Sequence, residues 1–253
     1  MSVTIGEVYR RIDEFAPFTL QEEWDNAGIL AGSADQPVED ILCALDLNEG
    51  VLREAIEKRV QLIVTHHPLI FHPLRRVLVT DEVGGHVASL LQKGISVISL
   101  HTNLDIVDGG VNDALSAAIG AAVREKLPCG RVAELPGEEG MDAFLARVRK
   151  ALGTEGLRYY DAGRKVRRIV LCGGAGGDLV GEARALGADT LLTGEVKYDQ
   201  WLTGREMGVN LVDAGHFCTE NVVTPVLAEM VREGFGGLEV RVSRRHGPTV
   251  KGF

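Results

Sequence analysis

Several things are missing from this 253-residue chain, and each absence closes off a class of function. There is no basic excess: 27 Lys and Arg against 36 Asp and Glu leave a net charge of −9, with the two signs interleaved. Non-specific binding to nucleic acid or to an anionic membrane needs a basic face, so neither is expected. No apolar run approaches the roughly 18–20 residues of a membrane span. The cysteines, Cys43, Cys129, Cys172 and Cys218, lie far apart and never form C-x-x-C. The opening MSVTIGEVYRRIDEF is amphipathic and lacks the apolar core of an export signal, so the thiols point to a reducing cytoplasm. The glycine-rich CGGAGGD (172–178) lacks the Walker spacing with its Lys-Ser/Thr, and no Rossmann acidic residue is evident. Amides at a strand-to-helix turn can bind an anion, but a tight turn is the expected reading.

What is present is an alternation of apolar runs and amphipathic stretches. Ile5, Val8, Ile12 and Phe15 recur at helical spacing, and Pro17 stops that helix. After a loop, EEWDNAGILAGS, come strand 41–47, a helix capped by Asn48, strand 62–65, helix 82–92, strand 95–100, and a helix containing Asn112, Leu115 and Ile119. Around 127–140 the texture turns to Pro, Gly and acidic residues, which sets an expected boundary: units 1–130 and 131–253, with C-terminal elements able to pack back on the first. Beyond it the alternation resumes, with helix 141–151, strand 167–172, helix 178–186, strands 190–193 and 209–214, helix 219–232 and a final strand LEVRVS. The fold class expected is α/β, with mixed sheets covered by helices.

The second half echoes the first. ILCALDLNEGVLREAI resembles IVLCGGAGGDLVGEAR, QLIVTHHPL resembles DTLLTGEVK, and QKGISVISLHTNLD resembles EMGVNLVDAGHFCTE, in the same order. Two pseudo-repeated units are therefore expected, with equivalent loops around a shared cleft.

His66, His67, His101 and His216 all fall just beyond the carboxyl ends of expected strands, the edge at which open α/β sheets bind ligands. Adjacent side chains on an extended segment point to opposite sides, so His66 and His67 imply either two ions or a sharp turn. His101 and Asp105 are four residues apart, as are His216 and Glu220, with Glu220 expected in the first turn of the last long helix. The pattern predicts a two-metal centre in the cleft between the units, with ligands His66, His67, Asp105, His216 and Glu220. Nitrogen and oxygen donors without thiolate suit zinc, iron, manganese, cobalt or nickel. In hydrolytic two-metal sites, ions roughly 3.5–4 Å apart ionise a water and polarise the electrophile. Three roles are open to His101: partner of Asp105, proton shuttle, or hydrogen-bonded core group. Glu195, with Lys197 and Tyr198, occupies the place of the histidine pair in the second half; His101 and Glu195 are the residues expected to move protons. Trp24-Asp25-Asn26 is read as a rim loop, with Trp24 explained equally well as an aromatic anchor packed on the core.

The strings WDNAGILAG, THHPLIF, HTNLD, GGVNDALS, TGE and AGHFCTE, in this order, resemble the Nif-three-like dinuclear-metal family, whose bacterial members are labelled GTP cyclohydrolase I type 2 homologues. The resemblance implies the short form of the family, without its inserted domain, and a two-metal site built from the same five residues, with Glu220 touching both ions. The family's histidine at the place of His101 is not usually counted as a ligand. A ring-shaped homohexamer is implied as well. Two functions follow: a metal-dependent hydrolase acting on a nucleotide or phosphoester, or a non-catalytic metal-handling or regulatory protein acting through partners.

Overall fold

The computed structural model describes residues 2–250 and divides them into two compact units: 2–107 with 224–247, and 108–223 with 248–250. In chain order the first contains α1 (Ile5–Phe15), β1 (Gly28–Ala31), β2 (Asp40–Ala44), α2 (Glu49–Lys58), β3 (Leu62–Thr65), α3 (Glu82–Lys93), β4 (Ser96–Ser99) and α4 (Thr102–Ile106). The second contains α5 (Val111–Ala118), β5 (Ala122–Leu127), β6 (Gly130–Glu139), α6 (Met141–Leu152), β7 (Arg158–Tyr160), β8 (Val166–Cys172), α7 (Val180–Ala185), β9 (Thr190–Thr193), α8 (Tyr198–Met207), β10 (Asn210–Asp213) and α9 (His216–Glu220). The chain then returns to the first unit with α10 (Val223–Gly234) and β11 (Glu239–Val242).

In the first unit the strands run in the order β1-β4-β3-β2-β11, parallel except for β1. Alternate residues Leu42, Ala44, Ile63 and Val97 bury one face against Val51, Leu52 and Ala55 of α2 and Val87 and Leu90 of α3. Local chemistry opens α2 and closes α3. Asn48 caps α2 by accepting from the Val51 amide (3.0 Å), and Gly94, at φ 65°, ends α3 in the left-handed conformation that glycine adopts without strain. A Thr4–Glu7 capping box opens α1.

The second unit's sheet runs β5-β6-β8-β9-β10-β7, with a parallel centre, β8-β9-β10, flanked by antiparallel strands. Phe144 and Val148 of α6 and Leu115 of α5 cover one face; Val180 and Ala183 of α7 lie in the cluster on the other.

The two parallel centres repeat one backbone pattern. The Gln61 amide donates to Asp40 O, Ser96 to Gln61 O and Leu100 to Thr65 O; in the second unit Asp189 donates to Arg168 O, Asn210 to Asp189 O and Ala214 to Thr193 O. This ladder corrects the sequence echo by one residue. Ala44 faces Thr65 as Cys172 faces Thr193, so Cys172 is the counterpart of Ala44, and the shared Leu-Cys dipeptide is out of register.

Other expectations shift too. The loop EEWDNAGILAGS contains β1, which pairs antiparallel with β4. The texture change at 127–140 is not a linker. It lies on the β5–β6 hairpin, where Glu134 carries ion pairs to Arg124 and Arg168, and the units part at 107/108 instead. The helix expected over 219–232 is two helices, α9 and α10, so Glu220 ends a short helix rather than opening a long one.

Candidate metal centre

In the first unit the chain turns sharply after β3. The amides of His66 and His67 both donate to Leu45 O, at 3.2 and 3.0 Å, and Thr65 Oγ1 donates to His67 O at 2.8 Å. Two successive amides on one carbonyl remove the alternation of an extended strand, so the two imidazoles lie together, ring centroids 4.9 Å apart. His101 joins them at 5.4 and 5.7 Å, and one ring nitrogen from each of the three lies within 4.8 Å of the others. His66 is fully buried, its Nε2 3.7 Å from Asp105 Oδ1.

Carboxylates hold two of these rings from behind. Asp46 Oδ1 lies 2.6 Å from His67 Nδ1, and Asp25 Oδ1 lies 2.8 Å from His101 Nδ1. An ionised carboxylate only accepts, so Nδ1 carries the hydrogen and Nε2 keeps the lone pair. The other oxygen of Asp25 accepts the Thr102 amide at 3.0 Å and its hydroxyl at 2.5 Å. Burial pushes the Asp25 carboxyl upward, but the hydrogen bonds from His101 and Thr102 outweigh it and hold it well below the usual carboxylate range. The expected rim loop thus supplies a buried anchor for His101. Trp24, largely exposed, meets the His101 ring edge-on at 5.9 Å, as does Phe71.

In the second unit His216 and Glu220 share one face of α9. His216 Nε2 lies 3.0 Å from Glu220 Oε2, and His216 Nδ1 lies 2.7 Å from Glu195 Oε1. Glu195, read from the sequence as a proton-moving group, is here the partner that orients His216. Glu220 is only 4% exposed, and the glycine-rich turn makes room for it. A methyl on Gly174, which sits at φ 63°, would overlap Glu220 Oε1 and come within 3.1 Å of His216 Nε2. The turn's amides go to internal acceptors: Gly173 to Asn112 Oδ1 (2.9 Å), Gly174 to Thr219 Oγ1 (3.1 Å) and Gly176 to Thr193 Oγ1 (2.8 Å).

Matching spacing conceals different placement. His101 is the N-cap of α4, whereas His216 is the first residue of α9, with Gly215 at φ 85° in the cap. By the strand ladder Gly215 is the counterpart of His101, so the second H-x-x-x-acid motif begins one residue late. Sequence reasoning missed Asp46 and the anchoring role of Asp25. Asp46 had a signal, since it lies two residues past β2 on the edge that carries the histidines.

The donors fit a divalent metal of the zinc type: imidazoles with Nε2 presented, neighbouring carboxylates, and a cradle around Glu220 that a single methyl would fill.

Known proteins resemble this chain over nearly its whole length. The sequence matches the family described as Duf34/NIF3 (NGG1p interacting factor 3) over residues 3–248. A Clostridium perfringens protein called GTP cyclohydrolase 1 type 2 homolog is 35% identical over 239 residues, covering 90% of this chain and 91% of the relative. A Helicobacter pylori (strain 26695) protein called GTP cyclohydrolase 1 type 2 is 30% identical over 231 residues, covering 90% and 91%. Among solved structures, Staphylococcus aureus protein SA1388 superposes with a TM-score of 0.93 at 26% identity over 99% of both chains. Reduced HcgD from Methanocaldococcus jannaschii gives 0.83 at 25% identity over 96% and 98%. With the match spanning nearly the whole sequence, and the fold and donor residues consistent with it, the chain belongs to the DUF34/NIF3 family.

Proposed function

We propose that His66, His67, Asp105, His216 and Glu220 together hold two divalent ions, and that the protein is a metal-dependent hydrolase of a nucleotide or phosphoester. The observation that carries this reading is the pair of carboxylate-held imidazoles, His67 on Asp46 and His216 on Glu195, one in each unit. An outer carboxylate on a ligating histidine fixes its tautomer and raises its basicity. Five protein ligands leave positions open on two ions, which suits a substrate better than a purely structural site. When bound, the ions would supply Lewis acidity to an electrophilic carbon or phosphorus. Glu220, buried beside His216, would supply a carboxylate that offsets the positive charge of bound metal. His101, backed by the carboxylate of Asp25, is placed to take a proton at Nε2. The names of the Clostridium and Helicobacter relatives support a nucleotide as substrate. A homohexameric ring in the cytoplasm completes the proposal, by family resemblance and from the reduced thiols.

The test is metal analysis of protein purified without added metal, followed by a screen of nucleotides and phosphoesters. Turnover that requires metal and vanishes in Glu220→Ala supports the hydrolase. Two ions per chain with no turnover on any substrate of either class would favour the metal-handling reading.

A further inference from the structure

We infer that His66, His67 and His101 form a metal site of their own: a three-imidazole face within the first unit that holds one zinc-type ion without His216 or Glu220. It shares two residues with the five-residue centre, needs nothing from the second unit, and gives His101 a role as ligand.

Four observations support it. One ring nitrogen from each residue lies within 4.8 Å of the others. A tetrahedral zinc with Zn–N bonds of about 2.0–2.1 Å sets its nitrogens roughly 3.4 Å apart, so side-chain adjustments of about an ångström close the face. Asp46 and Asp25 engage Nδ1 of His67 and His101, which fixes the orientation of both rings. Asp25 is wholly buried and tied to Thr102 through its second oxygen, so His101 is far better fixed than a surface histidine. Finally, the surroundings suit a cation: Asp105 Oδ1 lies 3.7 Å from His66 Nε2. Trp24 and Phe71 present ring edges to His101, and Asp25 and Asp46 balance the ion's charge from behind. Three protein nitrogens leave a fourth position open, which makes the expected ligand a borderline divalent cation such as zinc or cobalt. An oxygen-seeking ion such as magnesium is not expected there.

The consequence is a chain with two modes of loading. One ion on the three imidazoles leaves His101 unavailable as a base. Only when the acidic ligands take part does His101 return to proton transfer.

The experiment uses the full-length protein and cobalt as the probe. Metal per chain is measured after desalting, and the visible d–d absorption reports coordination, with circular dichroism as a check on folding. The double variant His216→Ala/Glu220→Ala is expected to retain one cobalt per chain. Adding His101→Ala to it should abolish retention, and adding Asp25→Asn should weaken binding about 10–100-fold. His101→Gln serves as a second variant should the alanine fail to fold. A folded double variant that holds no cobalt overturns the inference, as does a triple variant that binds as tightly as the double. The five-residue proposal is judged separately, on the wild type: it fails if that protein binds a single ion and Glu220→Ala changes nothing, an outcome compatible with the three-imidazole site.

Discussion

The tips of β3 and β9 occupy the same place in their sheets and do different chemistry. Thr65 and Thr193 end the two strands with matching ladder bonds, to Leu100 and Ala214. After Thr65 the chain places His66-His67; after Thr193 it places Gly194-Glu195. The first unit's edge is rich in imidazole with carboxylates behind. The second offers a single imidazole, with one carboxylate beside it and one behind. Backbone geometry is retained where the sheet demands it, while the residues just past the strand are under no ladder constraint and have diverged.

The largest expected effect falls on metal content. Glu220→Ala should cut bound metal from the proposed two ions per chain to one by elemental analysis, and Asp105→Ala should act in the same direction. Two ions retained in both variants would undo the proposed contrast between donors and backing groups. Swapping the tips comes next. A Cβ at Gly194 would lie 2.5 Å from Thr219 Oγ1, 2.7 Å from His216 Cα and 2.8 Å from Gly174 O. Two of these neighbours are backbone, so Gly194→Ala should cost about 2–4 kcal/mol. That is a fall in Tm of roughly 4–15 °C by calorimetry. An unchanged Tm would show that the second tip has room for a Cβ after all. The backing carboxylates sharpen the comparison further. Asp46→Asn and Glu195→Gln should each weaken metal binding about 10–100-fold in a competition titration, leaving the fold intact. A more modest effect is expected of pH: imidazole binds only as the neutral base, so occupancy should fall progressively on acidification.

Much of this arrangement was legible in the sequence, because strands of four to seven residues bounded by glycine and polar residues carry their own signal. Strand 62–65 and strand 190–193 end where expected. The hairpin β5–β6 was not legible. Its outer strand is mostly exposed and charged, AVREKL, and a solvated edge strand has the composition of a linker. The break between α9 and α10 was missed for a different reason. Pro225, in the first turn of α10, has no amide to continue a helix from α9, and it was the local signal that the reading of 219–232 as one helix passed over. The clustered histidines were visible because they fall just past the ends of readable strands. Their partners were not, since Asp25 reaches His101 across 76 residues of sequence.

The thiols give the smallest effect expected and one more comparison. Cys43, fully buried, has its thiol pushed up to about 12 by burial, whereas Cys129 is exposed. Iodoacetamide at pH 8.5 should therefore alkylate Cys129 and spare Cys43 in the native protein, as read by peptide mass spectrometry. Equal labelling would mean that the β2 core opens on the timescale of the reaction.

The return of the chain through β11 has a consequence for how the protein is made. β11 pairs with β2 from Glu239 opposite Asp40 to Val242 opposite Cys43, and the segment after it supplies the Ser243 hydroxyl to buried Glu54 at 2.7 Å. Residues 108–223, the whole contiguous part of the second unit, emerge from the ribosome before that strand exists. At about 5–20 residues per second the delay is on the order of ten seconds. For that interval β2 is an unprotected sheet edge, with its amides and carbonyls open to any extended segment nearby. Translation speed and chaperone access therefore bear mainly on the first unit, whereas the second can complete its sheet as soon as it is synthesised.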